Sequence, residues 1–205
     1  MNKAQRLSDY LPEAAAKIVA QWIDEYCCDF KVAGKRSTKL GDYRPPHKGL
    51  NHRISVNYNL NPYAFLITTV HEFAHLQTWN EYKSSVKPHG QEWKNNFRKM
   101  MQPFLTMDIF PEDLKKEIYS YLINPSASSC TDVSLFRAIH SYNPPSLGNA
   151  RAMLMENIPC NATFVIRNGR RFKKLEKVRK RYKCIEIATG RLYLFHPMAE
   201  IFEAG

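Results

Sequence analysis

The stretch from Asn61 to Tyr82 constrains the fold of this chain more than any other. Asn61-Pro62 opens it. Asn suits an N-cap, and Pro suits the first helical position, where its missing N–H is not needed. From Pro62 to about Tyr82 the pattern predicts one long helix with Tyr63, Phe65, Leu66, Ile67, Val70, Phe73, Ala74 and Leu76 on most of its sides. A helix that is apolar all round is normally buried. Two histidines and a glutamate inside such a helix therefore need a reason to be there.

Those residues are His71, Glu72 and His75, in the order HExxH. Residues four apart on a helix lie on one face, so His71 and His75 can both turn a ring nitrogen to one ion. Glu72 sits about 100° round the helix from His71. From there it can reach a water held by the ion without ligating it. Zinc lowers the pKa of such a water to about 7, and a carboxylate can then take its proton and pass it on. The pattern points to a Zn2+ site and to a peptidase, with a protein or peptide as substrate. The plainer alternative is a pair of buried histidines satisfied by hydrogen bonds, with Glu72 in a salt bridge.

A catalytic zinc takes a third protein ligand and keeps one position open. Glu81, His89 and Glu92 follow downstream. Glu81 is too close on the same helix to return to the ion. His89, in Pro88-His89-Gly90, lies where a short linker meets the next helix, and Gly90 is expected to let the backbone turn there. His89 is the favoured ligand, and Glu92 the runner-up.

The rest of the chain reads as α+β. A helix is expected over Ser8–Phe30, then a small antiparallel sheet, a meander of short strands at Phe30–Val32, Thr38–Leu40 and Arg53–Val56, ahead of a zincin-like HExxH helix pair. After the HExxH helix, Gly90 opens a helix carrying Trp93, Phe97, Met100 and Met101 on its apolar side. Pro111–Leu122 is a further helix, and Thr131 or Asp132 can cap one more, through His140. Tyr142–Gly148, with Pro144-Pro145, is the expected linker. The tail changes to strands: Ala162–Arg167, the hairpin signal Asn168-Gly169, Arg171–Lys174, Arg181–Ala188 and Arg191–Phe195. This divides the chain into a catalytic domain over residues 1–145 and a small β module over 150–205.

HEFAH, followed after thirteen residues by His89-Gly90-Gln-Glu-Trp93, resembles the SprT-like family of bacterial SprT and eukaryotic Spartan proteins. Lys39–Tyr43 through His52–Ile54 also looks like the strand region preceding that family's catalytic helix. The resemblance covers about residues 8–105. It implies His71, His75 and His89 as zinc ligands and Glu72 as catalytic acid and base. It further implies a peptidase acting on proteins bound or crosslinked to DNA, with a part in DNA repair. Many family members end in a zinc ribbon, whereas this tail has no paired cysteines.

Charge bears on the DNA partner. The net charge is +11, and residues 151–205 hold 12 Lys and Arg against 5 Asp and Glu. A concentrated positive field favours a polyanion, nucleic acid first. Arg170, Arg171, Lys173, Lys174, Lys177, Arg179, Lys180, Arg181 and Lys183 interleave with Phe172 and Tyr182, which could stack on bases. On a continuous strand Arg179 and Arg181 would share one face, with Lys180 and Tyr182 on the other. A solvated sheet face with its aromatics in a small core is the plainer reading. A second functional class follows: a nucleic-acid-binding or transcription-associated factor whose zinc is mainly structural. Cys27, Cys28, Cys130, Cys160 and Cys184 form no CxxC pair and read as reduced, buried small hydrophobes. No apolar run is long enough to span a bilayer, and the N-terminus shows no secretory pattern, so a cytoplasmic location without a membrane partner is expected.

Overall fold

The chain begins with two helices, of which the apolar spacing announces only the second. The computed structural model describes residues 2–36, 39–126, 132–143 and 153–203. In it α1 (Lys3–Leu7) lies ahead of the helix expected over Ser8–Phe30, and α2 (Glu13–Glu25) is shorter than that helix at both ends. Pro12 caps α2 and steers the residue before it away from helical geometry. At the far end Cys27 takes a φ of 45°, which stops the helix ahead of Phe30.

Three short strands follow: β1 (Asp29–Ala33), β2 (Gly41–Arg44) and β3 (Arg53–Asn57). They pair in the order β1-β3-β2, with β1 parallel and β2 antiparallel to β3, so the sheet is mixed and not the antiparallel meander expected: β3 lies between the other two. The strand expected at Thr38–Leu40 lies a few residues later. Tyr43 pairs with Ile54, which places the ladder on residues 41–44. Thr38 lies outside the described residues.

α3 (Pro62–Tyr82) spans the length expected of it. The Asn61 side chain accepts from the Ala64 N–H at 2.9 Å and donates to Ile139 O at 2.9 Å, so the cap also ties in a distant helix. The burial is what the all-round apolar pattern requires. Phe65, Leu66, Val70, Phe73, Ala74 and Leu76 are buried against different neighbours. Phe73 stacks on Phe30 of the sheet and meets Trp22 of α2 edge-on. α4 (Gln91–Thr106) lies along α3 and buries Trp93, Phe97, Met101 and Phe104. α5 (Glu112–Ile123) and α6 (Val133–Ser141) complete this unit, with the Asp132 side chain capping α6. Thr131 and Cys130, like most of the expected linker, lie outside the described residues.

The chain divides into Met1–Asn143 and Pro144–Gly205, each with its own core. The second unit is a six-stranded antiparallel sheet: β4 (Met153–Leu154), β5 (Thr163–Val165), β6 (Arg171–Val178), β7 (Arg181–Glu186), β8 (Leu192–Phe195) and β9 (Glu200–Glu203). β5 to β8 form a meander, and β9 returns to pair with β5 and β4. Gly169, with a φ of 82°, makes the turn signalled by Asn168-Gly169. The mixed α+β class is the one the sequence implies. No helix among the described residues is long and apolar enough to cross a membrane.

Candidate metal centre

Helix geometry puts His71 and His75 on one face of α3, and the turn before α4 brings His89 to the same point. Their Nε2 atoms form a triangle: 3.2 Å between His71 and His75, 2.9 Å between His75 and His89, and 3.2 Å between His89 and His71. Hydrogen bonding alone cannot satisfy this triangle. Each nitrogen either carries a proton or does not, so at least two of the three face one another with like charge. A cation facing three lone pairs resolves the conflict. Zinc–imidazole bonds of 2.0–2.1 Å at tetrahedral angles would set ligand atoms about 3.3 Å apart. The triangle fits such an ion, and it is the one cluster of its kind among the described residues.

The rings are kept neutral, as ligands must be. Burial, then the neighbouring His89, lowers the His75 pKa to about 3. His71 lies well below its ordinary value because of burial and the other two rings, and His89 is lowered by burial.

His89 reaches the triangle through its own backbone. Its φ is 58°, the left-handed region that a non-glycine residue enters at a cost. Gly90, expected to supply that turn, has a φ of −66° instead. Gly90 is needed for room: a Cβ there would come within 2.9 Å of Lys87 O and 3.0 Å of the Glu92 carboxylate. Glu92 lies in the first turn of α4 and is not part of the cluster. Glu81 accepts from Gln77 and Asn96, which leaves it occupied away from the cluster.

Glu72 is buried, and its carboxyl pKa is pushed up to about 8, by burial first and by Asp42 second. Arg36, Lys39 and the Tyr43 backbone N–H act in the opposite direction. Strand β2 passes so close over Glu72 that only glycine fits at position 41. A Cβ there would overlap the Glu72 carboxylate and come within 2.8 Å of Thr68 Cγ2.

Two aromatic residues that the pattern did not single out as site residues shape the centre. Trp93 is fully buried, with its ring 4.6 Å from the His71 ring, 4.7 Å from His89 and 5.4 Å from His75. Tyr43 lies parallel to His75 at 6.3 Å, its hydroxyl 3.0 Å from His52 Nδ1. The HExxH-to-HG spacing carried a hint of Trp93, but nothing local marks Tyr43. A cleft of about 300 Å³ adjoins His75, walled by Tyr43, Trp79, Val86, Pro88 and Trp93.

The basic tail residues have unlike surroundings. Arg170 pairs with Glu186 at 2.6 Å and lies over Phe172 and Tyr193. Lys174 is buried and donates to Met155 O and Ile158 O, so it faces the core and is withdrawn from any nucleic-acid surface. Phe172 is likewise buried and closed to bases. Lys183 pairs with Glu176. Arg171, Lys173, Lys177, Arg179, Lys180 and Arg181 are exposed. The strand alternation expected across Arg179–Tyr182 breaks, because Arg179-Lys180 is the turn between β6 and β7.

Compared with known families, residues 13–116 match the SprT-like family. No curated protein and no solved structure matches the chain.

Proposed function

The chain belongs to the SprT-like family, and from that premise we propose that it is a zinc-dependent endopeptidase. His71, His75 and His89 hold the ion, and Glu72 is the general base. The observation that carries this reading is the triangle of three neutral imidazole nitrogens with a buried carboxylate one residue along the helix. When bound, zinc supplies a Lewis acid that polarises the scissile carbonyl and makes water a nucleophile at neutral pH. Glu72 accepts the proton of the attacking water on its carboxylate and delivers it to the leaving amine nitrogen. A cation at the three nitrogens favours the ionised carboxylate that this task requires. Trp93 fixes the rings and keeps water from their far side. The cleft beside His75 suits an apolar side chain of the substrate next to the scissile bond.

Structural zinc sites are closed by four protein ligands, and only three convergent groups occur here among the described residues. This favours catalysis over a nucleic-acid-binding factor with structural zinc. The substrate class we infer is protein associated with or crosslinked to DNA. The +11 net charge and the exposed cations of the β6–β7 hairpin support it.

The test is Glu72→Gln, assayed on a basic DNA-bound protein with and without DNA. Zinc content should match the parent protein while cleavage falls by about 10²–10⁴-fold, the usual contribution of a positioned base. A zinc-loaded Glu72→Gln variant that cleaves at the parent rate would sink the assignment.

A further inference from the structure

We propose that the outer face of the three-stranded sheet is a binding site for the phosphodiester backbone of nucleic acid, separate from the basic tail. The inner face of this sheet packs on α3 through Phe30, Ile54 and Val56. Alternation along each strand therefore turns the intervening residues outward. Strand register sets them in rows. Arg44, Arg53 and Asp29 lie side by side, and Asp42, Ser55 and Lys31 form the next row. Arg36 reaches over the second row. Together they line a shallow cleft of about 470 Å³.

The cations of this cleft are only partly compensated. Asp42 is already shared between Lys39 and Arg44. Arg36 is held by neutral acceptors: Asn57 Oδ1 at 2.7 Å, Ser55 Oγ at 3.0 Å and the carbonyls of Ser55 and Leu40. Buried Asn57 also donates to Arg36 O and Lys39 O, which fixes the backbone of Arg36 itself. Arg53 keeps a buried Nε with no hydrogen-bond partner. Among the described residues, Lys31, Arg36 and Arg53 have no ion-pair partner. An anion seated in the cleft would accept charge-assisted hydrogen bonds from the guanidinium groups that line it.

The spacing favours a polymer over a lone phosphate. Residues two apart on a strand are about 6.7 Å apart, so the rows offer successive cations at a span that neighbouring phosphates of one strand can cover. The site lies on the sheet whose edge strand passes over Glu72, so a strand bound there would be held close to the candidate centre. The proposal does not depend on the zinc reading, because its test reads binding and not cleavage.

The experiment uses the full, zinc-loaded chain and a fluorescein-labelled 20-nucleotide single strand, with affinity read by anisotropy from 50 to 200 mM salt. Lys31→Gln/Arg53→Gln should weaken binding at least tenfold at 50 mM. It should also reduce the slope of log K against log salt by about 1.4, two phosphate contacts at roughly 0.7 each. Lys31→Gln alone, at an exposed position, should remove about half of that slope and keeps the test valid if the double variant is unstable. Unchanged affinity and slope in both variants overturn the proposal. So does equal loss of binding to poly-glutamate, which would mark a site for acidic protein, or loss of binding to inorganic phosphate alone, which would mark a small-anion site.

Discussion

His71, Glu72 and His75 were legible because a helix fixes what lies four residues apart, with no knowledge of the rest of the fold. His89 was favoured over Glu92 from its place at the junction before Gly90 and not from any period, since a loop carries none. Tyr43 and Trp93 come to the same point from other elements, and no local pattern announces such contacts. The environment they make sets two opposite titrations in the metal-free protein. His75 falls from an ordinary value of 6.5 to about 3 on folding. Between those values the unfolded chain binds a proton that the folded chain does not, so this contribution is present above pH 6.5 and is lost as pH falls. Glu72 rises from 4.5 to about 8. Its contribution is complete below pH 4.5 and is lost as pH rises through 8. Between pH 6.5 and 8 the Glu72 contribution falls by roughly 1.5 kcal/mol, while the histidines of the unfolded chain lose their last protons and act in the opposite direction. Thermal melts in chelator should show the parent losing stability relative to Glu72→Gln across that range; parallel profiles would refute the burial argument. Gly41→Ala tests the same residue from above. The added methyl should displace the Glu72 carboxylate and lower kcat by at least tenfold, with zinc content by metal analysis unchanged.

Elements were legible in proportion to how much of their cause is local. α3 carries its own cap, its proline and an apolar surface on every side, so its limits follow from the sequence. β2 reads Gly-Asp-Tyr-Arg, with no alternation to announce a strand, and it exists because β3 offers a partner edge. The late start of α2 was written in Pro12, and α1, five residues long, is too short to show a period. The β6–β7 hairpin gives the clearest element-level prediction. Its two-residue turn has a positive φ at Arg179 only, the pattern of a type II′ turn, whose first central position favours glycine. Arg179→Gly should therefore stabilise the second unit, by about 1 kcal/mol. It should also remove one cation from the exposed tip. A higher melting temperature, together with weaker binding to DNA, would mean that the strained arginine is kept for its charge. A lower melting temperature would mean that the side chain has a packing role.

At the scale of the whole molecule the change of texture was the legible part: helices from Pro62 to about residue 142, then short strands with most of the excess charge. β4 and β9 were not legible. β4 has two residues, and β9 is set by a long return to β5. The two units have separate cores, one built around α3 and one around Phe164, Phe172 and Ile201. The triangle, Glu72 and Trp93 all belong to the first. A chain ending at Asn143 should therefore fold, hold one zinc and cleave an unstructured peptide at a rate close to that of the full chain. Loss of the second unit removes most of the excess positive charge, and phosphate contacts are what make binding salt-dependent. Stimulation by DNA should thus be reduced in the shortened chain and should decline in the full chain between 50 and 200 mM salt. Cleavage of a DNA-bound protein, measured for both chains across that range, separates the two contributions. If the shortened chain keeps full DNA stimulation, nucleic acid is engaged by the first unit alone, and the outer face of its sheet becomes the surface to examine.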